Sequence, residues 1–253
     1  RFRFASRERS VPTRGWVVIA NNILKSAKAD GREVIASGGR GRCVGSKSED
    51  YVQYAAILFD RDPVEVREGT HEAKHDQGTR RIPSLALAFD LTDKPEVLVK
   101  IGVSWTSAAA ARANREAEIP TWDFESVRAA GSAAWKAEHD RLRVAVTPPL
   151  QPLAELFHTC WADVSCSPRG YDDADNGYLG FDGKPRTAPK GERYQWLPGW
   201  DYFRSIHPLL CLIRPDVGGD VAQSFIDQAL SSTHAKGGGW GRWTIGNREN
   251  GCM

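Results

Sequence analysis

Val97-Leu98-Val99-Lys100-Ile101-Gly102-Val103-Ser104-Trp105 leads through Thr106-Ser107 into Ala108-Ala109-Ala110-Ala111-Arg112-Ala113-Asn114-Arg115-Glu116-Ala117-Glu118, and Ile119-Pro120 follows. The first nine residues are rich in apolar, β-favouring types, which reads as a strand. The next stretch is alanine-rich and favours a helix, which Pro120 stops. The chain therefore changes character at Ser107, and the fold is read outward from that point.

Upstream lie further short strands, Trp16–Ala20, Tyr51–Phe59 and Leu85–Phe89. Turn chemistry separates them at Asp60-Arg61-Asp62-Pro63 and Thr92-Asp93-Lys94-Pro95. The intervals hold no helices for β–α–β crossovers, so a β-sandwich is expected rather than a parallel sheet. Ser37-Gly38-Gly39-Arg40-Gly41-Arg42 is not followed by a helix pattern, so it reads as a mobile sheet-edge loop rather than a phosphate cradle.

Downstream, Asp123 is placed to cap a second helix whose apolar face would carry Phe124, Val127, Ala130, Ala134 and Leu142, ending at Pro148-Pro149. Core helices are then expected over Gln151–Ser165, Phe203–Ile213 and Asp220–Leu230. Between and after them run polar loops, Tyr171–Gly199 and Gly237–Met253. The expectation is a multidomain β + α chain: a partial N-terminal β-sandwich over 1–107, a helical linker over 108–149, and a truncated helical toroid over 150–253. The absence of an initiator Met and the ending Asn250-Gly251-Cys252-Met253 read as marks of a fragment.

Composition narrows the function. The chain has 34 basic and 32 acidic residues, a formal charge of +2, and its basic residues are scattered, so no nucleic-acid footprint appears. No apolar run reaches the roughly 18 residues a membrane span needs. The five cysteines, Cys43, Cys160, Cys166, Cys211 and Cys252, are too irregular for a disulfide framework, and buried free thiols are expected. A local Cys160–Cys166 pair stays open.

Several short motifs dissolve on inspection. Asp172-Asp173-Ala174-Asp175-Asn176-Gly177 has the glycine of an EF-hand, but Ala174 and Gly183 stand where oxygen ligands belong, so a capped turn is expected. His158 with Cys160 and Cys166 lacks the second ligand pair of a zinc site. His71 and His75 share an i,i+4 spacing but fall in a polar, loop-like stretch, without the helical context of a metalloprotease. Trp196, Trp200, Tyr202, Trp240 and Trp243 are more informative. They lie in or beside glycine-rich loops close to Asp182, Asp201, Arg204, Arg242 and Glu249. Aromatic faces stack on sugar C–H faces while carboxylates and guanidiniums bond hydroxyls, so such a mixture suits a carbohydrate pocket; tryptophans that plug cores are the other reading.

An ordered set of segments resembles glycoside hydrolase family 92, the calcium-dependent exo-acting α-mannosidases. It comprises Tyr51-Val52-Gln53-Tyr54 through Phe59-Asp60-Arg61, Lys100–Ser104, Ala111–Pro120 and Trp122-Asp123-Phe124. It continues with Gly180-Phe181-Asp182-Gly183, Gly199-Trp200-Asp201-Tyr202-Phe203-Arg204, His207-Pro208-Leu209-Leu210, Arg242-Trp243 and Asn247–Met253. The resemblance implies an N-terminal β-sandwich, a helical linker and an (α/α)6 catalytic toroid. It also implies a secreted or periplasmic enzyme acting on mannose-containing glycans. Inversion would use a general acid and a general base roughly 6.5–9.5 Å apart, with a Ca2+ engaging the mannose 2- and 3-hydroxyls.

Carried over by position, Asp201 in Trp-Asp-x-x-Arg matches a residue that hydrogen-bonds mannose hydroxyls. Trp200, Arg204, Arg242, Trp243 and Glu249 are further substrate-binding candidates, with a structural ion pair open for Arg204 and Glu249. The resemblance places the catalytic acid, the base and the main calcium ligands beyond Met253, so no catalytic or metal-binding residue is assigned in this chain, and the chain alone is expected to be inactive. Gly239-Trp240-Gly241, the stretch Ser231–Lys236 and Asn247-Arg248-Glu249-Asn250 depart from the family pattern, which bears on fine substrate preference. A non-catalytic carbohydrate-binding module, or a scaffold that binds no sugar, is the alternative.

Overall fold

The computed structural model describes residues 2–3, 13–21, 24–39, 52–75, 78–180, 182–195 and 202–231. The chain divides into two compact units. The first comprises Arg1–Arg42, Lys47–Trp122 and Asp173–Gly177; the second comprises Cys43–Ser46, Asp123–Asp172 and Tyr178–Met253.

The first unit is a β-sandwich, as the strand–turn rhythm implies. Its strands are β1 (Phe2–Arg3), β2 (Arg14–Ala20), β3 (Leu24–Asp30), β4 (Glu33–Gly38), β5 (Gln53–Phe59), β6 (Glu65–His75), β7 (Gly78–Asp90), β8 (Glu96–Val97) and β9 (Val99–Ser104). A three-stranded sheet runs β2-β7-β6 and a four-stranded sheet runs β3-β4-β5-β9, with β1 paired to β8. All these pairings are antiparallel, from Arg14↔Asp90 to Ala20↔Ser84 in one sheet and Tyr54↔Ser104 to Phe59↔Val99 in the other. Val17, Leu85, Leu87 and Phe89 from the first sheet meet Leu24, Val34, Ile57 and Phe59 from the second in one core. The Phe59 and Phe89 rings lie 4.9 Å apart, and each buried ring contributes roughly 1.5–3 kcal/mol.

The two turns the sequence marks are joined. Asp60 accepts from the Leu98 amide at 3.1 Å and from Lys94 at 3.2 Å, and Arg61 donates to the Glu96 carbonyl at 2.6 Å. Two strand regions escape the sequence reading. β3 and β4 are short on apolar residues, and β6, which carries His71 and His75, is a strand and not a loop. β6 is a solvent-facing edge, so its pairing rests on the backbone ladder rather than on an apolar alternation that could be read.

Helix α1 (Ala108–Glu118) is capped by Ser107, whose side chain accepts from the Ala110 amide. It lies directly on β9: a Cβ built on Gly102 would stand 2.1 Å from the Ala111 carbonyl oxygen, so only glycine allows this approach. Arg115, 5% exposed, pairs with Glu33 at 2.8 Å, and Arg112 takes the other Glu33 oxygen at 2.7 Å. The face of β9 beneath α1 is Lys100, Gly102 and Ser104, whereas Ile101 and Val103 remain about half exposed. β9 is the edge of a four-stranded sheet opposed by a three-stranded one, which accounts for that apolar face lying open.

A buried polar knot closes this unit. Asn114 donates to the Val103 carbonyl at 2.8 Å and to Asp173 at 2.7 Å, and its amide oxygen accepts from the Ala174 amide at 2.7 Å. The Thr106 hydroxyl donates to the second Asp173 oxygen. Asp173–Gly177 forms the capped turn expected of this motif, with Asn176 in the left-handed region at φ 62 and Asp175 accepting from the Gly177 amide at 2.9 Å.

The second unit contains α2 (Phe124–His139), a 3-10 turn at Pro148–Leu150, α3 (Gln151–Ser165), α4 (Ile206–Ile213) and α5 (Pro215–Ser231). Between α3 and α4 lie the short pairs β10 (Arg169–Gly170) with β13 (Tyr194–Gln195), and β11 (Gly177–Leu179) with β12 (Pro185–Thr187). Asp123 caps α2 as expected, accepting from the Ser126 amide. The apolar face assigned to α2 does not hold: none of its residues is buried, Phe124 and Val127 are 38% and 39% exposed, and Leu142 lies past its end at His139. Spacing alone marked that face, and the alanines between its large residues supply too little apolar surface to seat it. Cys160, Cys166 and Cys211 are free, and they are exposed rather than buried. Among the described residues no helix is long and apolar enough to cross a membrane.

Candidate functional site

Of the six substrate-binding candidates, the structure describes Arg204. Trp200, Asp201, Arg242, Trp243 and Glu249 lie outside the described residues, as do Trp196, Trp240 and the glycine-rich stretch from Arg40. The site is therefore built from the segment that enters α4 and from what holds it.

Phe203, Arg204 and Ser205 form a turn ahead of α4, closed by the Ser205 amide donating to the Tyr202 carbonyl at 3.3 Å. Phe203 and Arg204 are exposed, and the guanidinium stacks over the Phe203 ring at 5.1 Å. Among the described residues Arg204 makes no ion pair, so its donors face outward. Tyr202 points the other way: its hydroxyl shares a 2.5 Å hydrogen bond with the Ser167 hydroxyl, and its ring meets His207 edge-on at 5.6 Å. His207 in turn meets Phe225 of α5 at 5.6 Å. Burial holds the His207 imidazole below its ordinary pKa, and its Nε2 has no hydrogen-bond partner among the described residues.

The hairpin β11–β12 carries a second polar feature. Arg186 grips Asp182 with two nitrogens at 2.6 and 3.0 Å, and these hydrogen bonds pull the Asp182 carboxyl down to about 2. A Cβ on Gly180 would stand 1.9 Å from the Arg186 guanidinium, so the glycine makes room for the clasp. Asp182 is thus an engaged structural carboxylate, and it stays ionised at neutral pH.

A cleft of about 350 Å³ also opens in this unit, lined by Trp135, Glu138, Trp161, Tyr194, Arg214 and Ser167 among others. Glu138 is the one carboxylate among its described lining residues, and Arg141 and Arg214 occupy it at 2.9 and 3.0 Å. A glycosidase needs two carboxylates across the reacting bond, so this cleft does not supply them. The sequence reading passed over it because α2, α3, β13 and α4 contribute its walls from distant stretches of chain.

Among the described residues no three His, Cys, Asp or Glu side chains gather as an ion site. The Asp173 carboxylate accepts from Asn114 and Thr106, and Asp175 accepts from the Gly177 amide.

Residues 110–253, more than half of the chain, match the family model described as the glycosyl hydrolase family 92 catalytic domain. The chain belongs to glycosyl hydrolase family 92. Solved structures agree on the fold. The family 92 α-mannosidase structure from Bacteroides thetaiotaomicron superposes with a TM-score of 0.74 at 20% identity, covering 94% of this chain and 31% of that one. The same enzyme in complex with mannoimidazole gives 0.73 at 20% identity, with coverage of 94% and 30%. A family 92 inverting mannosidase from Bacteroides thetaiotaomicron VPI-5482 gives 0.66 at 21% identity, with coverage of 83% and 29%. The chain spans about a third of the length of the solved structures it matches. No curated protein matches it. This family 92 chain thus presents an N-terminal β-sandwich and the opening helices of the catalytic domain.

Proposed function

We propose that the protein carrying this chain hydrolyses terminal α-mannosidic linkages of glycans with inversion. The match of residues 110–253 to the family 92 catalytic domain carries this reading. It is supported by a solved relative that is an inverting mannosidase and by another bound to mannoimidazole. Asp201 hydrogen-bonds the hydroxyls of the mannose that is released, with Trp200, Arg204, Arg242, Trp243 and Glu249 around it. The outward guanidinium of Arg204, one residue beyond Phe203, suits that role. Turnover is assigned to the full-length protein, because this chain covers about a third of its structural relatives; the chain alone is expected to be inactive.

Calcium, when bound, supplies a hard cation that engages vicinal sugar hydroxyls. Its ligands are not assigned to the described residues. Glycan access implies a secreted or periplasmic protein.

The test is hydrolysis of 4-nitrophenyl α-mannoside by the full-length protein, with and without a calcium chelator, following the product anomer by NMR. Release of β-mannose, abolished by chelation, is the expected result. Asp201→Ala should cost about 10- to 100-fold in kcat/KM, the value of a charged hydrogen bond. Mannose binding with no turnover by the full-length protein would instead make it a carbohydrate-binding module.

A further inference from the structure

The Tyr202–His207–Phe225 rings form a continuous edge-to-face ladder. Tyr202 meets His207 at 5.6 Å and 88°, and His207 meets Phe225 at 5.6 Å and 80°. Edge-to-face pairs at this separation are directional contacts worth about 0.5–1.5 kcal/mol each beyond their buried area. At one end the Tyr202 hydroxyl is tied to Ser167 just past α3. At the other, Phe225 packs on the core of Tyr194, Leu210, Val217 and Val221.

The base beneath the ladder is tight. A Cβ on Gly218 of α5 would stand 3.0 Å from the Cys211 sulfur and 3.2 Å from its Cα, so α4 and α5 meet at close range. His207 sits in the first turn of α4, five residues after Tyr202, and it joins a rigid helix pair to the short turn that carries Arg204. The Nε2 of His207 is buried without a partner among the described residues, and the contacts its ring makes there are the two edge-to-face ones.

We propose that this ladder orients the Phe203–Ser205 turn, and with it Arg204, for sugar binding, with His207 as its positioning residue. The proposal rests on the reading of Arg204 as a mannose-binding group. Phe203 and Arg204, which follow Tyr202, are exposed, with the guanidinium over the Phe203 ring at 5.1 Å.

The experiment uses the full-length protein and 4-nitrophenyl α-mannoside at saturating calcium, with thermal melts on every variant. His207→Ala should raise KM about tenfold with kcat within about twofold, the pattern of binding lost equally in ground and transition states. His207→Phe keeps the ring and should return KM to within about twofold of the parent. An unchanged KM in His207→Ala, or a raised KM that His207→Phe does not rescue, overturns the proposal. Where His207→Ala does not fold, Ser167→Ala releases the far end of the ladder and should raise KM about threefold; an unchanged KM there overturns it equally.

Failure of the mannosidase reading is separable. If the parent protein does not turn over the substrate, that reading falls, and amide hydrogen exchange then judges the ladder. Exchange at Ser205 and Leu209 should accelerate about tenfold in His207→Ala,Ser167→Ala relative to the parent if the ladder holds the turn. Unchanged exchange there defeats the ladder itself.

Discussion

Replacing Asn114 by aspartate changes one NH2 group into an oxygen at the centre of the polar knot. Asn114 and Asp173 are each 7% exposed. The substitution removes the donor that reaches Asp173 at 2.7 Å and the donor to the Val103 carbonyl at 2.8 Å. Two carboxylates left ionised at that separation would repel by about 6 kcal/mol at an effective dielectric of 20. Holding a proton on one of them at pH 7, against an ordinary carboxyl pKa near 4, costs only about 4 kcal/mol. Protonation is therefore the cheaper outcome, and it restores an O–H donor toward Asp173. The unpaired Val103 carbonyl adds about 1–3 kcal/mol. Asn114→Asp should thus destabilise the first unit by about 5–7 kcal/mol at pH 7, comparable to the whole stability of a small domain.

The pH dependence has a definite sign. The shared proton raises the folded pKa of the pair above its unfolded value, so the variant recovers stability as pH falls and loses it as pH rises. Between pH 7 and pH 5 the deficit should shrink by about 2.7 kcal/mol. Because the chain holds two units, one global melt is ambiguous. Amide exchange along β5 and β9, in steps of urea, reads the first unit alone. A deficit below about 1 kcal/mol, or one equal at both pH values, would refute the account of a dry, fully engaged knot.

Two other perturbations probe neighbouring features. Gly102→Ala places a methyl 2.1 Å from the Ala111 carbonyl oxygen and 2.6 Å from the Arg115 Cβ. The helix must lift, at a cost of about 3 kcal/mol, and exchange along β9 should accelerate; an unchanged urea midpoint would mean that α1 does not sit on β9. Arg186→Met should return the Asp182 carboxyl from about 2 toward the ordinary carboxylate range in a carboxyl NMR titration. In the parent the clasp's contribution is fully present above about pH 4 and is lost as pH falls through about 2. A midpoint that stays near 2 in the variant would assign the shift to something other than Arg186.

What could be read from the sequence follows the physics of each element. α1 was legible to the residue, because its alanines, Ser107 cap and terminal Ile119-Pro120 are all local signals. β2, β5 and β7 were legible where they carry the sandwich core, Val17, Ile57, Phe59, Leu85, Leu87 and Phe89. β6 was not, since an edge strand facing water needs no apolar face. α2 misled in the opposite direction: its spacing suggested burial, yet Phe124 and Val127 remain exposed and none of its residues is buried. The Asp182–Arg186 clasp and the Tyr202–His207–Phe225 ladder had their residues in view, but nothing local says that a ring at 207 will meet one at 225. The signals available were Gly180 two residues before Asp182, which makes room for the guanidinium, and a histidine in the first apolar turn of α4.

These placements change what the family resemblance is made of. Gly102 in Lys100–Ser104 lets α1 touch β9, and Asn114 and Arg115 in Ala111–Pro120 tie that helix to the sheet and to Asp173–Gly177. Gly180 and Asp182 form a clasp with Arg186, and His207 braces the turn that carries Arg204. Each of these motif residues has its partner within one unit, and the partner is a backbone atom, an ion-pair mate or a ring edge. Substitutions at them should therefore register first in stability or in the geometry of substrate binding. Losses confined to kcat, with KM and stability intact, would point to direct chemistry, and none of the contacts made by Gly102, Asn114, Arg115 or Asp182 provides for it. Among the described residues, the motif positions Gly102, Asn114, Arg115, Gly180 and Asp182 are thus parts that hold the scaffold in register.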